Sequence, residues 1–314
     1  MITALTGGTG GAKFVWGLAQ VVPPEQLTVI VNTGDDLNWW GLHVSPDLDS
    51  VLYALAGKLS RDRGWGYDDD SFRCLDRMRS LGADAWFQLG DLDLATHLRR
   101  SQLLASGKTL TEATTELCRA MDVKVRLMPM SDDPVRTIVS TQNGELSFQE
   151  YFVRERWKPK VVDVKFAGAE RAASAPGVLQ SIIHSELVMI APSNPITSIG
   201  PILAIPGVRD ALRCSTAQVI AISPIVGGAA VSGPAGEMLK MHGFAVSAAG
   251  VAACYRDFID VLITDTQDDN ASVRREIEET GVQPSFANTM MNSDEDKIAL
   301  AKFALAAVAP EAAR

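Results

Sequence analysis

The first 31 residues restrict the fold most strongly, because they alternate between buried strands and a helix. Residues 2–6 form a short apolar run that ends in glycines, which predicts a buried strand followed by a loop. Residues 12–21 have apolar side chains at helical spacing and stop before Pro23 and Pro24, and residues 26–31 predict a second buried strand. This order of elements predicts a right-handed βαβ unit and a parallel sheet.

The rest of the pattern divides into a helical part, a β-rich block and a second α/β part. Helical spacing dominates from residue 47 to about residue 120, with helices predicted at residues 68–81, 92–105 and 110–120. The β-rich block has predicted strands at residues 123–127, 135–141, 145–153 and 161–166, with Asn143 and Gly144 as a hairpin turn. Alternation of strands and helices returns with predicted strands at residues 187–191, 218–223 and 260–264.

These patterns predict an α/β fold in one large domain that spans residues 1–314. A mostly parallel core sheet would be formed by residues 1–122 and 186–314, and a β-rich lobe would be inserted at about residues 123–185.

Composition narrows the classes of partner. The chain has 29 Lys and Arg against 38 Asp and Glu, a formal net charge of −9, which argues against nucleic acid or an anionic membrane as a main partner. The four cysteines are far apart, the first residues lack a signal-peptide pattern, and the apolar stretch at residues 182–191 is too short to span a bilayer. We therefore expect a soluble, cytoplasmic protein.

A glycine-rich segment follows the first predicted strand and contains Gly8, Thr9, Gly10, Gly11 and Lys13. Glycines allow backbone amides to approach an anion, and the N-terminus of the next helix favours negative charge. The segment is not a Walker A loop, because Phe14 follows Lys13 where Ser or Thr would be required. It predicts a phosphate-binding turn, the alternative being a tight connection between strand and helix.

Two acidic motifs lie close together in the sequence. Four polar residues follow the second strand, where they would contact a base, a sugar or a metal, or form a solvated turn: Asn32, Thr33, Asp35 and Asp36. Asp47 and Asp49 begin the next apolar helix, where they would either cap the helix or hold a Mg²⁺ ion that keeps most of its waters.

Two further segments carry candidate side chains. Asp93 and His97 lie one turn apart on a predicted helix that begins near Asp91, so they form either a polar site or one face of an ordinary amphipathic helix. The loop after the strand at 187–191 offers uncharged donors and acceptors that suit a base or ribose: Ser193, Asn194, Thr197 and Ser198. Similar loops at residues 223–228 and 232–236 predict a shared ligand crevice at one sheet edge, the alternative being three connecting turns.

With these motifs assembled, the chain resembles the 2-phospho-L-lactate transferase family, called CofD in archaea and FbiA in actinobacteria. The matching segments run in order through most of the chain: residues 7–13, 32–36, 45–50, 64–66, 90–97, 130–134, 192–201, 223–228 and 232–236. The resemblance implies a Rossmann-like three-layer core, a homodimer and a role in making the deazaflavin coenzyme F-420. It implies that a three-carbon acid phosphoryl group passes from its guanosine diphosphate conjugate to the deazaflavin Fo, with release of GMP and a requirement for Mg²⁺.

The residues support this chemistry, which depends mainly on positioning and charge neutralisation. The glycine turn and Mg²⁺ on Asp47 or Asp49 would neutralise the diphosphate, and one of these aspartates could instead accept the proton of the attacking hydroxyl. Residues 32–36 and 193–198 would hold guanosine. Residues 90–97 would lie near Fo or the phosphates, with Trp65 and Trp86 as stacking surfaces or, alternatively, as core residues.

One departure from the family pattern concerns the acid. Leu92 stands where the family pattern has an arginine, so a cation that would bind phosphate or carboxylate is missing, and the sequence does not choose among lactyl, enolpyruvyl and glyceryl phosphate. The alternative function is that of a non-catalytic regulatory protein that binds a nucleotide or nucleotide sugar, related to uncharacterised protein family 52. A small-molecule kinase is disfavoured, because the Walker A and kinase motifs are absent.

Overall fold

The structure is a computed structural model that describes residues 1–307. Its strands are β1 (Ile2–Thr6), β2 (Leu27–Val31), β3 (Leu37–Trp39), β4 (Leu42–Val44), β5 (Arg126–Pro129), β6 (Arg136–Thr141), β7 (Gly144–Ser147), β8 (Val161–Ala167), β9 (Leu187–Ile190), β10 (Gln218–Ile222), β11 (Ile225–Val226), β12 (Ala229–Ala230), β13 (Val261–Asp265) and β14 (Gln283–Ala287).

Its α-helices are α1 (Gly8–Ala19), α2 (Pro46–Leu55), α3 (Arg73–Ser80), α4 (Asp91–Ala105), α5 (Leu110–Ala120), α6 (Val178–Ile183), α7 (Gly200–Ala204), α8 (Val208–Cys214), α9 (Ala235–Met241), α10 (Ala248–Tyr255), α11 (Ala271–Glu278) and α12 (Asp294–Ala306). Short 3₁₀ turns lie at Pro24–Gln26, Ala169–Arg171 and Thr266–Asp268, and π-helical turns at Glu150–Arg154 and Pro195–Ile199. Within residues 1–307, no helix is long and apolar enough to cross a membrane.

Seven parallel strands form the central sheet, in the order β14, β13, β10, β9, β1, β2, β5. All residues of β2, β9 and β13 are buried, as expected for strands that are covered on both faces. Two neighbouring residues of β1 show that a separate layer of helices packs on each face of the sheet. Ala4 belongs to the cluster formed with α1, α2, α5 and α12, whereas Leu5 belongs to the cluster formed with α6, α8, α10 and α11. This three-layer arrangement confirms the predicted α/β, Rossmann-like fold with a mostly parallel sheet.

The strand order changes direction between β1 and β9. From β1 the chain proceeds to β2 and β5 on one side, and from β9 it proceeds to β10, β13 and β14 on the other. The loops after β1 and β9 therefore lead to helices on opposite faces of the sheet, and they begin at its carboxyl edge, where open α/β sheets bind their ligands.

The structure differs from the sequence prediction at β5. This strand lies within the lobe predicted at residues 123–185, yet it pairs with β2 at the edge of the central sheet, because Leu127 and Met128 can each face a different helix layer. The small antiparallel sheet contains only β7, β6 and β8, and Gly144 begins β7 with φ of 119°, which confirms the predicted hairpin turn. The organisation as one large domain with an inserted lobe stays a prediction.

Three other predicted elements are wrong in extent. The first helix begins at Gly8 rather than at residue 12, so the glycines form its first turn. The helix predicted at residues 68–81 is only Arg73–Ser80, because residues 68–72 form a loop in which Asp70 bonds to α4. The strand predicted at residues 145–153 ends at Ser147 and is followed by a π-helical turn. The hairpin of β3 and β4 was not predicted, because these two strands of three residues each have no recognisable sequence pattern.

Replacement of Gly17 by alanine tests the packing of α1 on α12. A Cβ atom at Gly17 would lie 2.4 Å from the main-chain oxygen of Lys297, so the two helices would have to separate. Helix propensity alone would make alanine more stable by about 1 kcal/mol. We expect the opposite, a loss of about 1–3 kcal/mol in the free energy of unfolding by urea denaturation. A gain in stability would contradict this packing.

Candidate active site

The glycine turn of α1 lies directly against the loop that follows β9. The Gly7 amide donates to Ser193 Oγ at 3.3 Å, and this hydroxyl donates to the Gly7 carbonyl at 2.7 Å. A Cβ atom at Gly10 would lie 2.9 Å from the Pro192 oxygen, and one at Gly11 would collide with the side chains of Thr6 and Ser193. The glycines are therefore required for this close contact, whatever ligand the turn also binds.

Asn32 joins two carboxylates beside this contact. The fully buried Asn32 amide donates from Nδ2 to Asp47 Oδ2 at 2.9 Å and to Asp35 Oδ2 at 3.1 Å. Its Oδ1 atom accepts from the Gly34 amide at 2.8 Å, which fixes the orientation of the side chain. The Gly8 amide also bonds to Asp47. The structure thus brings the glycine turn and the first two acidic motifs together.

The two carboxylates bound by Asn32 are difficult to ionise. Burial, followed by the negative charge of Asp47, raises the pKa of Asp35 well above its ordinary value. Burial also raises the pKa of Asp47 to about 6, although the hydrogen bonds from Asn32 and Gly8 oppose the shift. Side-chain hydrogen bonds from Thr137 and Asn32 offset the raised pKa of Asp35 only in part. This cluster would gain stability from a cation.

Asp36 belongs to a separate small network with His43. The His43 Nε2 atom lies 2.8 Å from Asp36 Oδ2 and 3.1 Å from Ser45 Oγ, and the Ser45 hydroxyl donates to the same Asp36 oxygen at 2.7 Å. Burial raises the pKa of Asp36, and His43 partly offsets this effect. His43 is thus a partly buried residue with hydrogen-bond partners at this edge of the sheet.

Asp49 forms a buried ion pair with Arg100. Two guanidinium nitrogens of Arg100 bond to the two Asp49 oxygens, and both side chains are almost fully buried. His97 extends the cluster, with Nδ1 3.4 Å from Asp49 and Nε2 3.2 Å from Asp93, and the Tyr53 hydroxyl donates to Asp93 at 2.7 Å. Burial alone would raise the pKa of Asp93, but His97 and Tyr53 outweigh it and hold that pKa below its ordinary value.

The ion pair of Asp49 with Arg100 affects which of the predicted residues could bind a metal ion. Asp49, Asp93 and His97 bring ligand atoms within 4.8 Å of one another, which is close enough to share a metal ion. The Arg100 guanidinium already neutralises this group, however, and it occupies both oxygens of Asp49. Asp47 and Asp49 therefore have different partners, and Asp47 with Asp35 has the better donor set for a divalent cation.

Asp91 and Asp70 fasten the first turn of α4 to the loop before α3. Asp91 accepts hydrogen bonds from the Ser71 hydroxyl at 2.5 Å and from the Cys74 amide at 2.9 Å, and the Ser71 bond is the main cause of its lowered pKa. Asp70 in turn accepts from the amides of Leu92 and Asp93 at 2.8 and 3.0 Å. The amides that would meet an anion at this helix end are thus already bound to the chain's own carboxylate.

The remaining predicted residues of the glycine segment and the β2 loop have different surroundings. Thr9 is exposed, and Lys13 lines a cavity of about 330 Å³ between α1 and the start of α12, together with Arg61 and Asn292. Thr33 is buried, and its hydroxyl has no partner within residues 1–307. Lys13 therefore lies apart from the carboxylates that Asn32 joins, and its phosphate-binding role stays a prediction.

The loop after β9 turns back towards the glycine segment. Asn194 Oδ1 accepts from the amides of Ile196 and Thr197 at 3.0 and 3.3 Å, so this side chain caps the π-helical turn. Ser198 is buried, with its Cβ 2.9 Å from where a Cβ of Gly7 would lie. The predicted neighbourhood of the two loops is therefore present, although Asn194 is already engaged.

The two tryptophans named as stacking surfaces are packed against other residues. Trp86 meets Trp39 edge-on at 4.9 Å, and Arg154 lies over its ring at 5.6 Å. Trp65 lies beneath the guanidinium of Arg63 at 5.6 Å. These contacts favour the packing alternative for Trp86.

Sequence analysis missed Arg100 and His43, and only the first had a usable signal. Arg100 follows His97 by three residues and Asp93 by seven, which is the spacing of one helix face. A cation on a face with two buried polar residues indicates an ion pair. His43 meets Asp36 only because β3 and β4 form a hairpin.

The fold and the geometry of the site define the class of protein. It is a doubly wound α/β protein with a cluster of polar residues at the switch point of its parallel sheet. The sequence model of the family described as 2-phospho-L-lactate transferase CofD matches residues 2–304. The chain belongs to this family of transferases, and it is an enzyme of that type.

Individual relatives agree with this assignment. The chain is 44% identical over 299 residues to the 2-phospho-L-lactate transferase of Methanosarcina acetivorans, covering 95% of this chain and 96% of the relative. It is 41% identical over 310 residues to the phosphoenolpyruvate transferase of Streptomyces griseus, covering 97% of each. A solved member of the UPF0052 family from Bacillus halodurans superposes with a TM-score of 0.66, covering 97% of this chain and 99% of that one. At 16% identity, that likeness shows the fold alone.

A double-mutant cycle tests the buried ion pair. We expect Arg100→Gln to lower the free energy of unfolding by about 3–5 kcal/mol, because it leaves the Asp49 charge buried without a partner. The double variant that adds Asp49→Asn should recover much of this loss, as measured by urea denaturation. Additive losses in the double variant would contradict a direct interaction.

Proposed function

We propose that this enzyme transfers a three-carbon acid phosphoryl group from its guanosine diphosphate conjugate to the deazaflavin Fo, within coenzyme F-420 biosynthesis. The observation that supports this most is the meeting of the α1 glycine turn with the Asn32, Asp35 and Asp47 cluster at the switch point of the sheet. Family membership across residues 2–304 favours the same reaction. The homodimer implied by the resemblance stays a prediction.

The loops after β1, β2 and β9 are suited to the donor. The amides that follow Gly8 in the first turn of α1 would approach the diphosphate, since a helix N-terminus favours an anion. The uncharged loop that contains Ser193 and Ser198 lies against that turn, so the guanosine would occupy the adjoining crevice. This arrangement leaves the phosphorus that carries the acid near the carboxylates joined by Asn32.

Mg²⁺ fits this site through Asp35 and Asp47 rather than through Asp47 and Asp49. No cation within residues 1–307 pairs with Asp35 or Asp47, whereas both oxygens of Asp49 are bound to Arg100. A bound Mg²⁺ would neutralise charge on the diphosphate oxygens. Asn32 would keep both carboxylates in place, since its amide donates to each of them.

The reaction itself needs one bond to form and one to break. The ribityl hydroxyl oxygen of Fo bonds to the phosphorus that bears the acid, and the bond from that phosphorus to the oxygen of GMP breaks. The hydroxyl proton passes to solvent, because a loose transition state requires little help from a base. The chain's residues therefore act mainly by holding the two substrates in line.

Turnover with defined substrates tests the proposal. Incubation with Fo, Mg²⁺ and the guanylated conjugate of lactyl, enolpyruvyl or glyceryl phosphate should release GMP and yield a new acidic deazaflavin, detected by mass. Asp47→Asn should lower the rate by about 100-fold or more. Asp163→Asn, an exposed substitution on β8, serves as the control. Absence of GMP and of product with all three donors would contradict the transferase proposal.

Replacement of Asp35 by asparagine tests the cation site without an activity assay. Because burial and Asp47 raise the pKa of Asp35, its ionised form costs the folded state stability at high pH and not below the ordinary pKa. In EDTA, Asp35→Asn should therefore raise the melting temperature at pH 8 and leave it unchanged near pH 4. Mg²⁺ should raise the melting temperature of the unmodified protein at pH 8 but not that of the variant. An equal Mg²⁺ effect in both would exclude Asp35 as a ligand.

A further inference from the structure

The first turn of α4 lacks a cation that could bind the acid end of the donor. Leu92 is 48% exposed there, and the adjacent amides already bond to Asp70. The proposed donor carries a carboxylate on its three-carbon group in each of its possible forms. A carboxylate of this kind requires a positively charged partner when it leaves water.

The other cations near this site are engaged or face elsewhere, and the exposed Arg73 at the start of α3 acts on the carboxylate of Asp91. Arg100 is committed to Asp49, and Arg99 bonds to Gln102 on the exposed side of α4. Arg61 pairs with Asp294 and lines the cavity that also contains Lys13. None of these groups is placed to bind a carboxylate near Asp93.

The surroundings of Arg63 differ from those of these other cations. Its guanidinium lies over the rings of Trp65 and Phe72, with 5.6 and 5.3 Å from its central carbon to the ring centroids. One terminal nitrogen donates to the Tyr67 carbonyl at 2.6 Å, which fixes the plane of the group. The Nε–H group is buried and has no acceptor within residues 1–307. An arginine held in this way presents a rigid, unsatisfied donor to an anion.

The loop that contains Arg63 covers the polar cluster of α4. A Cβ atom at Gly66 would lie 4.0 Å from Asp93 Oδ2. The Tyr67 ring packs edge-on against Tyr53 at 5.2 Å, and the Tyr53 hydroxyl donates to Asp93. Arg63 bonds to the carbonyl of Tyr67, so two side chains connect it to the cluster. Arg63 is thus a cation beside the cluster, with one buried N–H group that lacks an acceptor within residues 1–307.

We propose that Arg63 binds the carboxylate of the three-carbon acid. The inference rests on the proposed transferase function. The carboxylate accepts from the Nε–H of Arg63 and from a neighbouring terminal N–H, in the side-on geometry that arginine offers to planar anions. The packed rings and the Tyr67 carbonyl hold the guanidinium in this orientation before the donor binds.

The test compares two guanylated donors that differ only in charge: the three-carbon acid conjugate and its carboxamide. The unmodified enzyme should have a lower KM for the carboxylate donor. Arg63→Gln should raise that KM by about 10- to 100-fold and leave the KM for the carboxamide unchanged. Arg63→Lys should retain part of the preference, because it keeps the charge but loses the planar fork. Arg61→Gln, in the same loop, is the matched control and should leave both values unchanged.

The outcomes separate this inference from the function on which it rests. If the unmodified enzyme turns over neither donor, the transferase proposal fails. If it turns over both and Arg63→Gln keeps the preference for the carboxylate, the role of Arg63 is overturned. Equal losses for both donors in Arg63→Gln would show that the residue only maintains the loop, which also overturns the role. If Arg63→Gln does not fold, unchanged preference in Arg63→Lys overturns it as well.

Discussion

The close contact between the first turn of α1 and the loop after β9 is the constraint on which the rest of the site depends. Side chains at Gly10 and Gly11 would push these two segments apart, since they would meet Pro192, Thr6 and Ser193. The contact brings the ends of β1 and β9 together at the point where the strand order changes direction. The carboxylates of the β2 loop and of α2 can then reach the same turn, because Asp47 bonds to Gly8 and Asn32 bonds to Asp47.

Charge is distributed unevenly between the two acidic clusters at this edge, which are Asp35 with Asp47 and Asp49 with Asp93. The negative charge of the Asp49 and Asp93 cluster is compensated by the protein itself. Arg100 neutralises Asp49, and the His97 and Tyr53 side chains hold Asp93 ionised. Asp35 and Asp47 have no such cation within residues 1–307, so the effect of burial on them is not offset by a positive charge and their pKa values are raised. Two buried acids that repel each other reduce the stability of the free protein, and the proposed Mg²⁺ would supply the missing positive charge.

Much of the fold could be predicted because its signals are local. The buried runs that become β1, β9 and β10 and the helical spacing of α5 each lie within about a dozen residues, so composition and periodicity are sufficient. The edge strand β5 could not be assigned to its sheet, because a short apolar run does not indicate which strand it pairs with. The Asp49–Arg100 pair joins residues 51 positions apart, a distance over which spacing carries no information. Sequence therefore located the candidate residues at one edge but not their partners.

Similarity to relatives does not indicate which three-carbon acid the enzyme prefers, so this preference depends on contacts within the site. Relatives named for phospholactate and for phosphoenolpyruvate are 44% and 41% identical to this chain over nearly its whole length, so overall similarity favours neither acid. Both acids, and the glyceryl alternative, carry a carboxylate, and a cation such as Arg63 would recognise the group that they share. Discrimination must then come from residues that contact the second and third carbons, where the acids differ in planarity and in hydroxyl content. Because a hydrophobic contact rejects an added hydroxyl only weakly, a preference for the glyceryl group would require a polar partner dedicated to that hydroxyl.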